Sequence, residues 1–262
     1  MLVPASLVAE TDDGRRRAHK VGQVARALAV FRCDRVVVYD DDPDHGEEIA
    51  TLLRYAATAP YLRKAVFGRR AELEHAGVMP PLGIPPHRTG ASADDADGPE
   101  IRQGVVTEVG SDGRAWVTCG LQHPVAVRGT DAAEGERVTV RIASRDPLRA
   151  EVVDPDAVPV YTGFAVERAP IDDWCAAYDG DLVALSRDGD RATVDDFSRR
   201  DDVALVFGAP GRGVRAILAD LDASVAFDAV LNTVPDQGVA TVRTEEAVWA
   251  TLAVANVAST QE

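Results

Sequence analysis

The sequence is poor in cysteine, lysine and aromatic residues. It has three cysteines, two lysines and 5% aromatic residues in a chain of 262. The cysteines, Cys33, Cys119 and Cys175, are far apart and form no C-x-x-C pair. Neither a disulfide framework nor a zinc site is therefore predicted. We expect no metal, and we expect the three cysteines to be small buried apolar residues.

Long apolar runs are also missing. No stretch of about 18 apolar residues occurs, so neither a membrane-spanning helix nor a membrane partner is predicted. The N-terminal segment lacks a basic region and already includes Glu10, so we expect no signal peptide and a cytoplasmic location. The length is enough for one large core, or for one domain with a second inserted into it.

The charge is strongly acidic, with 28 Lys and Arg against 43 Asp and Glu and a formal net charge of −15. Because concentrated salt screens the self-repulsion of such a chain, this composition suggests a halophilic protein. An acidic total also argues against a polyanionic partner such as nucleic acid.

Two segments have the opposite charge. Residues 15–35 contain seven Lys or Arg and one acid, and residues 54–70 contain five Lys or Arg and no acid. Bases concentrated in this way predict an anion-binding face within an acidic protein. A solvated helix face is the alternative interpretation.

Strands and helices alternate in the first and last parts of the chain, which is typical of an α/β sheet. In residues 1–82 the pattern predicts strands at 2–8 and 35–39 and helices at 13–32 and 44–59. In residues 159–262 it predicts strands at 181–185, 203–207 and 226–231, and helices at 213–221 and 245–257. We interpret these two parts as the halves of one α/β domain.

The middle of the chain, residues 83–158, has a different character. A Pro-, Gly- and Asp-rich loop at 80–99 precedes five short predicted strands, at 101–109, 114–119, 124–128, 137–143 and 149–153. Five strands at this spacing favour a small inserted β-barrel of the OB type. OB barrels often bind oligonucleotides, but few aromatic residues are available for base stacking, and we interpret Trp116 as a core residue.

Three predicted strands of the last part are followed by glycine-containing loops, at 186–189, 208–213 and 232–238. Ligands of open α/β sheets bind at the carboxyl ends of strands, and glycine lets a ligand approach the backbone. The third loop continues into a strand-like segment, 239–242, and then into a helix with Thr244 as the predicted N-cap. Glu245 and Glu246 suit the positive end of that helix.

The second loop also resembles two nucleotide-binding motifs. It lacks the lysine of a P-loop, so nucleotide hydrolysis is not predicted. Residues 211–216 match the G-x-G-x-x-A fingerprint of a dinucleotide oxidoreductase, which remains an alternative, although fewer than about 50 residues follow for such a domain.

Three segments in order resemble the C-terminal motifs of one family: VFGAPGRG at 206–213, LNTVPDQG at 231–238 and TVRTEEA at 241–247. VGQVARA at 21–27 and FRCD at 31–34 resemble its first helix. The family is the SPOUT class of RNA methyltransferases, in the archaeal and eukaryotic subgroup with an OB-like insertion. The resemblance covers essentially the whole chain and is least specific in the insert.

This resemblance implies a SPOUT α/β knot, which is a parallel sheet with a C-terminal trefoil knot, and an inserted OB-like β-barrel. It further implies S-adenosylmethionine as cofactor and a homodimer formed through the knot. A helix at 245–257 that is apolar around most of its circumference agrees with burial on more than one side. The positions carried over to cofactor binding are Ser186, Arg187, Gly208, Pro210, Gly213, Leu231, Asn232, Pro235, Gln237, Gly238 and Val242.

The resemblance points to ribosomal RNA as substrate and to N3 of a uridine as an acceptor atom. Such a nitrogen must lose a proton, so we expect anion-stabilising arginines, Arg26 and Arg243 with Arg212, and a nearby carboxylate, Glu245, at the catalytic site. The predicted RNA-binding residues are Arg15, Arg16, Lys20, Arg63 and Lys64. A non-catalytic OB-containing RNA-binding or ribosome-assembly protein with the same fold is the alternative.

Overall fold

The computed structural model describes residues 1–89, 100–198, 200 and 202–259. The strands are β1 (Leu2–Pro4), β2 (Arg35–Tyr39), β3 (Glu100–Val109), β4 (Arg114–Thr118), β5 (Val125–Arg128), β6 (Arg137–Arg145), β7 (Leu148–Val153), β8 (Ala165–Ala169), β9 (Asp181–Arg191), β10 (Val203–Phe207) and β11 (Ala229–Asn232). The helices are α1 (Gly14–Val30), α2 (Gly46–Ala57), α3 (Arg63–Phe67), α4 (Ile171–Ala176), α5 (Asp195–Ser198), α6 (Val214–Asp220) and α7 (Thr244–Ala258). The second half of the predicted Pro- and Gly-rich loop, residues 90–99, lies outside the described residues.

Two compact units make up the fold. The first, the sheet unit, comprises Met1–Arg54, Glu72–Pro81 and Phe164–Glu262. The second, the barrel unit, comprises Tyr55–Ala71 and Leu82–Gly163.

The sheet unit contains a six-stranded, fully parallel sheet in the order β11-β9-β10-β1-β2-β8. β1, at its centre, is buried throughout because it pairs with β10 on one side and β2 on the other. The hydroxyl of buried Tyr39, at the end of β2, donates a hydrogen bond of 2.6 Å to the carbonyl oxygen of Phe207, at the end of β10. The prediction of a parallel α/β sheet is therefore confirmed.

The barrel unit contains a five-stranded antiparallel sheet in the order β5-β4-β3-β6-β7. Its outer strands, β5 and β7, lie close together, so the sheet is nearly closed into a barrel. Alternate residues of β4, β5 and β6 point into one apolar core that includes Val106, Val117, Val127 and Val140. The predicted five-stranded barrel-like sheet is thus also confirmed.

Some local predictions are wrong. The first strand ends at Pro4, because a 3-10 turn, Ala5–Val8, follows it. Segment 239–242 is not a strand, and α7 begins at Thr244 with Arg243, rather than Thr244, as its N-cap. Trp116 is 37% exposed on the outer face of β4, so its interpretation as a core residue is also wrong.

The cysteines have no disulfide bonds. Cys119 and Cys175 are buried, as expected, whereas Cys33 is only partly buried.

Candidate functional site

The three loops named above come together at the carboxyl ends of β9, β10 and β11, where they line one cavity of about 180 Å³. We call it the loop cavity. Residues of all three loops and of the segment that leads into α7 line it. Parallel strands bring their carboxyl ends to one edge of a sheet, which explains why segments distant in sequence meet here.

The first loop is a bulge within β9 rather than a free loop. Val230 of β11 pairs with Ala184, but the next residue, Leu231, pairs with Asp190. Residues 185–189 therefore bulge out of the ladder between β9 and β11. The side-chain amide of Asn232 donates a hydrogen bond of 2.8 Å to the carbonyl oxygen of Arg187 and thereby fixes this bulge to the third loop.

The second loop is a tight turn. Ala209 and Arg212 bond to each other through their backbones, and Gly211 between them has φ +71°, a left-handed conformation that glycine adopts without strain. The hydroxyl of Thr244, the first residue of α7, donates a hydrogen bond of 2.8 Å to the carbonyl oxygen of Gly208. The end of β10 and the start of α7 are therefore fastened together beside the cavity.

The third loop is held by its own amide side chains. The oxygen of the Asn232 side chain accepts a hydrogen bond of 2.9 Å from the backbone N–H of Val234. The amide of Gln237 donates to the carbonyl oxygens of Val239 and Ala240, at 2.8 and 3.2 Å. These bonds are local, and they give the loop a defined shape.

Seven of the eleven predicted cofactor-binding residues line the loop cavity: Ser186, Arg187, Gly208, Gly213, Asn232, Gln237 and Val242. Of the others, Pro210 lines a neighbouring cavity, and Leu231 is buried in the sheet. Pro235 and Gly238 lie in the third loop but are not among the residues that line the loop cavity. Thr241 and Thr244 line it and were not predicted.

A second and larger cavity, of about 850 Å³, adjoins the first. We call it the basin. Gly211 and Thr241 line both the basin and the loop cavity. The basin is also lined by Arg15 and Arg16 of α1 and by Arg243.

Two buried, oppositely charged residues lie at the basin: Lys20 of α1 and Glu245 of α7. The ammonium group of Lys20 donates to the carbonyl oxygen of Leu7, ion-pairs with Glu10 and lies 3.6 Å from Oε2 of Glu245. Oε2 of Glu245 has no hydrogen-bond partner among the described residues. Burial raises the pKa of the Glu245 carboxyl, and nearby Lys20 opposes this shift.

Comparisons with known proteins identify the family. A family model described as "Putative RNA methyltransferase" matches residues 1–255. The chain belongs to this family. The predicted family and the prediction of a methyltransferase enzyme are therefore confirmed.

Individual relatives of the family are similar over nearly the whole chain. An uncharacterized protein of Halobacterium salinarum is 46% identical over 96% of each chain, and one of Haloarcula marismortui is 43% identical over 96% of each. A human protein named 28S rRNA (uridine-N(3))-methyltransferase is 29% identical over 96% of this chain and 76% of its own length.

The remaining predicted residues of this methyltransferase lie in three places. Arg26 lines neither cavity, and its guanidinium donates to the carbonyl oxygen of Pro81. In the barrel unit, the guanidinium of Arg63 lies 4.4 Å from the ring centroid of Tyr55 and bonds to the carbonyl oxygen of Thr58, while Lys64 is exposed. Lys20 is buried against two carboxylates, and its contact to RNA phosphate stays a prediction.

Two further features are absent from the residues that the structure describes. No helix in this part of the chain is both long and apolar enough to cross a membrane. Within the same residues, no group of three His, Cys, Asp or Glu side chains is arranged to hold a metal ion.

Proposed function

We propose that this methyltransferase transfers a methyl group from S-adenosylmethionine to N3 of a uridine in ribosomal RNA. The observation that carries the proposal is the meeting of the three loops around one cavity in a chain of this family. The named activity of the human relative supports the choice of base and atom.

The residues of the loop cavity fit this donor. Leu185, Phe207 and Val242 offer apolar walls for a purine, and Asn232 and Gln237 bring polar groups to the same space. At Gly213 and Gly211 an added Cβ would meet no atom nearer than 4.0 Å, so both glycines border open space in which a ligand reaches the backbone. When bound, the donor supplies a methyl group on a positively charged sulfur, and the protein has mainly to align it with the acceptor.

The finer architecture is also part of the proposal. We assign residues 1–82 and 159–262 to the two halves of a SPOUT domain with a C-terminal trefoil knot, and residues 83–158 to an OB-like insert. The knotted halves of two chains form a homodimer. α7 supports this arrangement, because Val248 and Leu252 are buried within the chain while Ala253 and Val257 on the same helix are exposed.

The charged residues have different proposed roles, according to where they lie. Arg243, at the basin, stabilises negative charge on the acceptor base, and exposed Arg15 and Arg16 position RNA phosphates. Arg63 and Lys64 of the barrel unit extend the RNA contact. A catalytic role for Arg26 stays a proposal. Its guanidinium donates to the carbonyl oxygen of Pro81, and it lines neither cavity.

Donor binding provides the test. We expect isothermal calorimetry to show one S-adenosylmethionine site per chain, and Asn232→Ala to weaken its affinity at least tenfold because the bulge of β9 loses its tie to the third loop. Gln122→Ala, which removes an exposed amide in the barrel unit, serves as the matched control and leaves the affinity unchanged.

Methyl transfer is measured in parallel, with labelled donor and rRNA from a strain that lacks the gene. Label at uridine N3 supports the proposal. RNA binding without donor binding contradicts it and favours the alternative of a non-catalytic RNA-binding or ribosome-assembly protein.

A further inference from the structure

The basin and the loop cavity are neighbours, and their linings have different characters. They share Gly211 and Thr241, so a molecule in one cavity lies beside a molecule in the other. The loop cavity combines apolar walls with two arginines and one acid: Arg187, Arg212 and Asp188. The basin has four cationic side chains against two carboxylates: Arg15, Arg16, Lys20 and Arg243 against Glu10 and Glu245. An anionic ligand therefore favours the basin.

The carboxyl group of Glu245 is the unusual feature of the basin. The residue is only 8% exposed, and its Oε2 has no hydrogen-bond partner among the described residues. Leaving a buried acceptor without a hydrogen bond is costly, and groups that remain in this state often serve a ligand. Lys20 compensates part of the charge at 3.6 Å, a distance that is an ion pair but not a hydrogen bond.

We infer that the basin receives the nucleotide to be methylated and that Glu245 accepts the proton from the reacting ring nitrogen of its base. The inference rests on the proposed function, because it names the acceptor side of the same reaction. The phosphate of the nucleotide lies toward Arg15 and Arg16, and the base lies toward Arg243, Glu245 and the shared wall.

The proton and electron balance is simple. The N–H bond of the base breaks, and its proton moves to Oε2 of Glu245. The electron pair left on nitrogen forms the new N–C bond, and the C–S bond of the donor breaks with its electron pair on sulfur. The proton is later released from Glu245 to water.

The surroundings of Glu245 suit a proton acceptor. Burial raises the pKa of its carboxyl, which makes it a stronger base than an exposed glutamate. A hydrogen bond from its own backbone N–H and the charge of Lys20 from α1 lower this pKa, while Glu10 and Glu246 raise it. Arg243 lies 3.6 Å from Glu10 and faces the same basin. Lys20, enclosed by Glu10 and the carbonyl oxygen of Leu7, is thus a positioning residue that keeps Glu245 ionised.

The first test replaces Glu245 with glutamine, which is similar in shape but a poor proton acceptor. We expect Glu245→Gln to bind S-adenosylmethionine within about twofold of the wild type by calorimetry, and to methylate RNA about 10²- to 10⁴-fold more slowly. The variant rate should increase with pH, because the base must then lose its proton to solvent. Glu134→Gln, which removes an exposed carboxylate in the barrel unit that lines neither cavity, is the matched control, and activity should be preserved.

The second test measures the acid limb of the pH–rate profile, which is the range where the rate falls as Glu245 becomes protonated. Lys20→Met removes the cation that favours ionised Glu245, so the limb should shift to higher pH, and Lys20→Arg should restore it. A Glu245→Gln enzyme with a wild-type rate and profile overturns the inference while leaving the proposed function intact. Equal loss of donor binding and activity in Glu245→Gln also overturns it. A wild-type protein that binds no donor instead overturns the proposed function and the inference together.

Discussion

Arg212 occupies the turn between β10 and α6, where it joins the second loop to the centre of the sheet unit. Its guanidinium contacts the carboxylate of Asp41, just after β2, and the carboxylate of Asp220, near the end of α6. The Asp41 side chain is 1% exposed and also accepts from the backbone N–H of Ser6 at 2.9 Å. Because these carboxylates match its charge, Arg212 holds the second loop in place beside the loop cavity, which it also lines. Its role in stabilising the acceptor anion stays a prediction.

Asp41→Asn should therefore destabilise the protein and loosen the donor site. Removing one charge from a buried, hydrogen-bonded pair leaves the remaining groups poorly matched, and we expect the free energy of unfolding to decrease by about 2 kcal/mol. Urea denaturation measures this change, and calorimetry should show weaker S-adenosylmethionine binding. Asp220→Asn removes the exposed carboxylate from the same guanidinium and should cost under about 1 kcal/mol. Equal effects of the two variants would count against a special role for Asp41.

Sequence patterns identify residues of the site only where the signal is local. The glycines and the amide side chains of the second and third loops could be predicted, since each follows a clear strand. The contacts of Lys20 with Glu10 and Glu245 could not, because they join α1, the turn before it and the start of α7. The bridge from Asp41 to Arg212 spans 171 positions and has no signature in the sequence.

The helices and strands could likewise be predicted only where the sequence signal is local. β2 and β10 agree residue for residue with the predicted strands at 35–39 and 203–207, because each is largely apolar and lies inside the sheet. β8 was missed: its sequence, AVERA, is short and half polar, and it forms only through pairing with β2 at the sheet edge. Segment 239–242 has the composition of a strand, but within the described residues it pairs with no other strand.

The 3-10 turn Pro85–His87 in the barrel unit contains a buried histidine with a pH-dependent effect on stability. Nε2 of His87 lies 3.0 Å from the carbonyl oxygen of Thr162, and burial lowers the pKa of the ring from 6.5 to about 4. The unfolded chain therefore binds more protons than the folded one between these two values, and stability is lost as the pH falls through this window.

Between pH 7 and pH 4, the free energy of unfolding of the wild type should decrease by up to about 3 kcal/mol more than that of His87→Gln. This amount follows from the size of the pKa shift. Urea denaturation at a series of pH values measures the difference, which cancels the effects of carboxylates common to both proteins. His123→Gln, at an exposed position in the same unit, is the control and should follow the wild type. A His87→Gln profile parallel to that of the wild type would show that the ring does not govern acid stability.

At the scale of the whole molecule, an acidic total and basic segments coexist. The net charge of −15 keeps the chain soluble by repulsion, and a halophilic origin and a cytoplasmic location stay predictions from composition. The basin itself contains two carboxylates, Glu10 and Glu245, but cationic side chains outnumber them there: Arg15, Arg16, Lys20 and Arg243. An acidic protein of this kind binds RNA through local cation clusters rather than through its net charge.

The proposed homodimer can be tested at the exposed apolar residues of α7. Val257 on α7 is 50% exposed and Val30 at the end of α1 is 43% exposed, while Phe31 and Trp249 pack edge to face between these two helices. We expect sedimentation at micromolar concentration to show a dimer for the wild type and a monomer for Val257→Asp, because a buried charge without a partner opposes association. Val109→Asp, at a valine that is 48% exposed in the barrel unit, should remain dimeric. If each site is completed from both chains of the proposed dimer, the Val257→Asp monomer should also bind the donor more weakly. A wild-type monomer, or a Val257→Asp dimer, would contradict an interface formed by α7.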